Sequence, residues 1–410
     1  MPQGDSRDAD TTTGRAAARR DLSAGPSAAQ DTIGTPGAAA QDTIGTPGAA
    51  APVAVPDRWR RMHFASAAAV TLAAVAAGAV WPDPALPVQL AVTAAAVGLL
   101  GLPHGAVDHL YGRARFAPRF GRAWPAVFAA GYLGLAALVV ALWLVVPAVA
   151  LIGFLVLSAR HFGAEDAAFA PAAAPGSGPA PPNAPPARPE PAPPEAARAS
   201  QADVGPPGAA LRAVRSAGSA TWAGAEVWAR GVLPILLPVA LHPAETGRLF
   251  AWLLPGSEPA SVAALLTAGQ PATAALALVL VLGLCGVAAV RRRWPIAAEV
   301  ALLTAMFAAL PPLLGFAVYF CFWHAPRHSL RVIADHHPGR LARGLTRFAR
   351  SAAALTAATA VAAGLAWVLL APTGGPGPAA TRVLFIGLAA LTLPHAALHA
   401  GAPRRRAAGR

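Results

Sequence analysis

From residue 63 onward the chain is a succession of apolar runs separated by short polar or arginine-bearing segments. Each run is about 20 residues long, the length a helix needs to cross the hydrocarbon core of a bilayer. Runs such as Val139–Val146 and Ala274–Leu284 are continuous rather than alternating. That pattern excludes a membrane β-barrel, whose strands alternate lipid-facing and lumen-facing residues. Lipid cannot satisfy backbone polar groups, so the runs must be helices. The pattern predicts an all-α polytopic membrane bundle of about ten transmembrane helices. The spans are expected near 63–81, 86–106, 124–146, 148–164, 220–241, 271–290, 295–311, 313–333, 350–371 and 381–400.

The segments outside the runs divide the chain further. Residues 1–56 are a low-complexity tail in which Ala28–Gly37 recurs as Ala39–Gly48. They carry too little large apolar surface to fold, so disorder is expected. Residues 167–217 are a Pro/Ala-rich stretch, expected to be a disordered insertion. It separates a first membrane part (57–166) from a second (218–403), and residues 404–410 form a basic tail.

Composition sharpens the picture. Only 12% of residues are charged, about half the share in a soluble domain. The net charge of +13 comes from arginine, since the chain contains no lysine. The arginines sit in short clusters between apolar runs, and every second connection is basic: 58–61, 113–122, 212–215, 291–293, 340–347 and 404–406. That distribution follows the positive-inside rule rather than a nucleic-acid surface. It predicts both termini on the cytoplasmic side of the inner (plasma) membrane and no nucleic-acid partner. The two cysteines, Cys285 and Cys321, lie within apolar runs and read as packing residues.

The eleven histidines carry the chemistry. His104 and His109 close the second span in GLPHGAVDH, and His161 closes the fourth in SARHFGAED. His324 and His328 lie near the end of the eighth in WHAPRH, and His395 and His399 end the tenth in LPHAALH. All four spans are even-numbered, so four separate segments deliver imidazoles to one membrane face. His324 and His328 share a helical face by their i, i+4 spacing, as do His395 and His399. Asp108 is placed to share a face with His104, as Glu165 is with His161. Asp108, Glu165 and Asp166 are the expected orienters of ligand rings, the usual partners of metal-bound histidine. A lone histidine at a span end is more often an interfacial anchor; His63, His242, His336 and His337 read that way. His104, His161, His324 and His328 are the expected metal ligands, with His109 and His395 in reserve and His399 at the water boundary. An all-imidazole site suits Zn, Cu, Ni or Fe, and spacing does not choose among them.

In their order along the chain, GLPHGAVDH, SARHFGAED, PILLPVALHP (Pro234–Pro243) and WHAPRH resemble the bacterio-opsin-related (Brp/Blh) family of β-carotene dioxygenases. The resemblance covers roughly residues 85–400. It implies cleavage of the central double bond of β-carotene by O2 to two molecules of retinal. By motif position it implies Fe(2+) held by His104, His161, His324 and His328. It also points to an association with a rhodopsin that uses the product. His242 matches a family position but falls on the face opposite the metal, where a structural role is expected. The rival readings are a histidine-box carotenoid hydroxylase or desaturase, an assembly factor for a retinal-binding opsin, and a proton-coupled transporter. The absence of an HxxHH box speaks against the first, and the clustering of histidines at one face speaks against the last.

Overall fold

The computed structural model describes residues 55–169, 209–337 and 340–400, with side chains in the second stretch from residue 223. Proline punctuates the chain. A proline in the first turn of a helix costs nothing, because its missing N–H would have no partner there. Such prolines open most of the helices that follow. In order they are α1 (Asp57–Val80), α2 (Leu86–Ala96), a π-helical turn (Val97–Gly101), α3 (Leu102–Ala106), α4 (Asp108–Phe120), α5 (Trp124–Val145), α6 (Pro147–Phe169), α7 (Ala209–Leu241), α8 (Pro243–Leu253), α9 (Pro259–Ala268), α10 (Gln270–Val290), α11 (Trp294–Ala309) and α12 (Pro312–Val318). A second π-helical turn (Tyr319–His324) leads into α13 (Ala325–His336), followed by α14 (Leu341–Gly374) and α15 (Pro376–Ala400). No strand occurs among the described residues.

Among the described residues, seven continuous helical stretches are long and apolar enough to cross a membrane by length and composition. One of them, Leu86–Val145, joins two expected spans through α4. Trp294–Ala309 is a shorter apolar helix of 16 residues. The stretch 312–336 is not among the seven; its second half carries Arg327, Arg331, Asp335 and three histidines. The fold class therefore stands, while this measure does not reach the expected ten spans. Large aliphatic side chains on α5, α10 and α14, Leu138, Leu278 and Leu365 among them, are more than half exposed. Water would penalise so much bare apolar surface, and these helices mark a membrane protein.

The helices bury a core around Trp323, Tyr319, Phe307, Met306 and Leu237. The closest approach is between α6 and α7. A Cβ on Gly163 would lie 1.7 Å from the Val227 carbonyl oxygen, and one on Gly231 would lie 1.8 Å from that of Ala159. Only glycine lets these backbones touch, and small residues are the general means of close helix packing in membranes.

The connection between the fifth and sixth expected spans folds into α8 and α9. The predicted disordered tracts lie mostly outside the described residues. At their edges Val55 is buried, and residues 167–169 and 209–217 are helical.

Candidate metal centre

Both π-helical turns end beside histidines. The first precedes His104 by three residues, and the second ends on His324. A π turn inserts an extra residue into a helix, re-aims the side chains that follow and is frequent at functional sites. The two turns pack on each other. Gly101 makes the fit, since a Cβ there would lie 2.6 Å from the Phe320 ring.

From α3, α6, the second π turn, α13 and α15, five imidazoles converge. The His104 ring centroid lies 5.5 Å from those of His324 and His328 and 5.4 Å from that of His395. The His161 ring is 5.0 Å from both His324 and His395. All five residues are buried. Potential ligand atoms of His104, His161 and His395 lie within 4.8 Å of one another.

Each of three rings is tethered at Nδ1. His104 hydrogen-bonds the Gly101 carbonyl, His395 donates to Asp108 at 2.9 Å, and His328 donates to Glu165 at 3.3 Å. A carbonyl or carboxylate only accepts, so the proton belongs on Nδ1 and the Nε2 lone pair is left for another use. The Nε2 atoms of His328 and His395, and both ring nitrogens of His324, are buried with no hydrogen-bond partner among the described residues. Leaving such nitrogens unpaired costs about 1–3 kcal/mol each. A cluster of them fits a metal ion as the missing partner.

The structure redistributes the carboxylates. Asp108, four residues from His104, does not reach that ring, because the chain breaks at Val107 before α4 begins. It holds His395 and, at 3.1 Å, His399 on α15. Tyr132 of α5 donates to the same carboxylate at 3.0 Å. Glu165 orients His328 from another helix rather than its own neighbour His161, and it also pairs with Arg331 at 2.6 Å. Asp166 orients no ring. One residue further around α6, it pairs with Arg327, which also bonds Glu299 at 2.8 Å. His109 turns Nδ1 to the Ala106 carbonyl at 3.0 Å.

His395 is thus nearer the centre than its reserve place in the sequence reading suggested. The signal for it was the i, i+4 pair of LPHAALH, but only the fold brings Asp108 to it. A second grouping, Asp108, His328, His395 and His399, also has ligand-type atoms within 4.8 Å. There, however, Asp108 already satisfies His395 and His399 through hydrogen bonds. His242, outside both histidine groupings, has its Nε2 2.7 Å from the Phe307 carbonyl oxygen.

His104, His161, His324 and His395 open onto a chamber of about 280 Å³. Its lining is mostly apolar and aromatic, Phe128, Phe154, Phe316 and Leu388 among it, and also takes in Asp108, Ser158, Thr359 and Thr392. Buried nitrogens without partners beside such a chamber make a candidate metal site in a membrane protein. The match to known proteins is more specific. Residues 95–401 match the family described as β-carotene 15,15′-dioxygenase, and the chain belongs to that family. It is 40% identical over 111 residues to the protein named "Probable beta-carotene 15,15'-dioxygenase Blh" of Halobacterium salinarum. That alignment spans 25% of this chain and 32% of the relative's length. No solved structure matches the chain.

Proposed function

We propose that this protein cleaves the central double bond of β-carotene with O2 to give two molecules of retinal. One C=C bond is lost, and each of its carbons gains one oxygen atom as an aldehyde. The observation that carries this reading is the set of buried nitrogens on His324, His328 and His395 without partners among the described residues, with His324 and His395 lining a mostly apolar chamber, in a chain of this family.

His104, His161, His324 and His328 would hold iron(II), with His395 as a fifth imidazole at the same centre. The chemistry iron(II) supplies when bound is the activation of dioxygen. The chain's own contribution is positional. Gly101, Glu165 and Asp108 hold three rings with Nε2 inward, and groups that hydrogen-bond a ligand ring in this way tune metal affinity. Phe128, Phe154, Phe316 and Phe320 wall the chamber, exclude water and hold a planar polyene in place beside the histidines. A carotene does not dissolve in water, so it enters from the bilayer. Leu133 both lines the chamber and is 65% exposed, which puts an entrance on the lipid-facing side. The alternating arginine clusters support placing the site near the cytoplasmic face of the inner membrane, with both termini cytoplasmic. A rhodopsin is the natural consumer of the product.

The test is a retinal assay in bacterial cells that accumulate β-carotene, comparing the parent chain with His324→Ala at equal expression. The parent should bleach the cells and yield two retinals per carotene lost, while the variant yields none and binds less than a tenth of the parent's iron. Unchanged carotene in cells with well-expressed, iron-loaded parent would sink the assignment.

A further inference from the structure

The chamber does not end at the histidines. Leu102, Thr359, Leu388 and Leu391 line both it and a second cavity of about 530 Å³. This second cavity runs between α2, α14 and α15 to a rim at Pro87, Trp367 and Pro376. Along α15 the distance from His395 to Pro376 is about 28 Å at 1.5 Å per residue, close to the roughly 30 Å thickness of a hydrocarbon core. Pro87 and Trp367 are exposed, so the far end meets the lipid-facing surface.

The lining of this groove includes no Asp, Glu, Arg or His. A phospholipid would bring a charged headgroup for which this lining offers no charged partner. A rod that is apolar from end to end has no such need, and the histidine chamber gives it a reason to extend inward. Space in the groove is kept by glycine. At Gly98, Gly364 and Gly387, a Cβ would meet nothing within 4 Å. These glycines are not demanded by close helix contact, unlike Gly163 and Gly231, so their lack of a side chain leaves a passage.

We infer that this groove holds one arm of the polyene substrate, and that the open space at Gly98, Gly364 and Gly387 sets how long and bulky that arm can be. The threshold formed by Leu102, Thr359, Leu388 and Leu391 then fixes how far the polyene slides past the histidines, and so which double bond lies beside them. The inference rests on the carotene-cleavage reading for the identity of the occupant, but its test does not depend on turnover.

The full chain is purified metal-free from β-carotene-accumulating cells, and bound carotenoid per protein is read from the polyene absorbance. Gly387→Leu and Gly364→Leu place a side chain in the groove. Gly283→Leu on α10, where a Cβ also meets nothing within 4 Å, is the matched control remote from it. The parent and Gly283→Leu should carry carotene, and the two groove variants on the order of ten-fold less. After iron loading, the groove variants should bind as much metal as the parent and still cleave a polyene shortened on one arm, such as β-apo-8′-carotenal. Groove variants that retain carotene at the parent's level would overturn the inference. So would a parent that carries phospholipid, and no carotene, in its place. A parent that binds carotene in a groove-dependent way yet releases no retinal when iron-loaded would defeat the cleavage reading and leave the groove inference standing.

Discussion

Glu165 and Asp166 are neighbours on α6, yet they serve two different buried clusters. Glu165 faces the histidines, where His324, His328 and His395 keep nitrogens without partners. Asp166 faces a chain of ion pairs in which Arg327 meets Asp166 and Glu299, Arg230 meets Glu299 at 3.1 Å, and Arg293 meets Glu226 at 2.6 Å. Both clusters carry a desolvation cost. In the second, opposite charges repay it within the protein and tie α6, α7, α11 and α13 together. In the first, part of the cost is left standing, which is what a site reserved for an external partner requires.

Substitutions on either side should separate the two roles. Arg327→Leu leaves Asp166 and Glu299 buried without their cation, and breaking such a pair typically costs about 3–5 kcal/mol. Thermal unfolding in detergent should show that loss whether or not metal is bound. An unchanged midpoint would mean the network is not structural. His324→Ala should do the reverse, emptying the metal site while the metal-free protein unfolds no earlier than the metal-free parent.

A subtler cut is Asp108→Asn. It keeps the shape but weakens the acceptor that holds His395 and His399. Loss of a carboxylate that orients a ligand ring typically lowers metal affinity about 10–100-fold. A metal titration of the purified chain should show that drop with little change in apo-protein stability. Affinity equal to the parent's would remove His395 from the centre. Smallest of all, His242→Ala gives up one hydrogen bond to the Phe307 carbonyl, worth about 1 kcal/mol. Metal content should not move; if it does, this histidine is coupled to the centre after all.

Much of this was legible in one dimension. The apolar run lengths specify helices, because a backbone in lipid has no other way to satisfy its N–H and C=O groups. The motifs GLPHGAVDH, SARHFGAED and WHAPRH mark His104, His161, His324 and His328, because ionisable side chains in such runs need a purpose. What the linear pattern did not determine is which group each carboxylate serves. Asp108 and His395 are 287 positions apart, and Glu165 and His328 are 163 apart. Those pairings depend on how helices rotate against one another. On α6 that rotation rests on Gly163 and Gly231 letting two backbones touch, and beside His104 and His324 it rests on two π turns whose extra residue no periodicity reveals. The central place of His395, the turn of Asp166 away from the histidines and the groove beside α15 are properties of packing. Helix spacing says which residues share a face, and only the tertiary structure decides what that face meets.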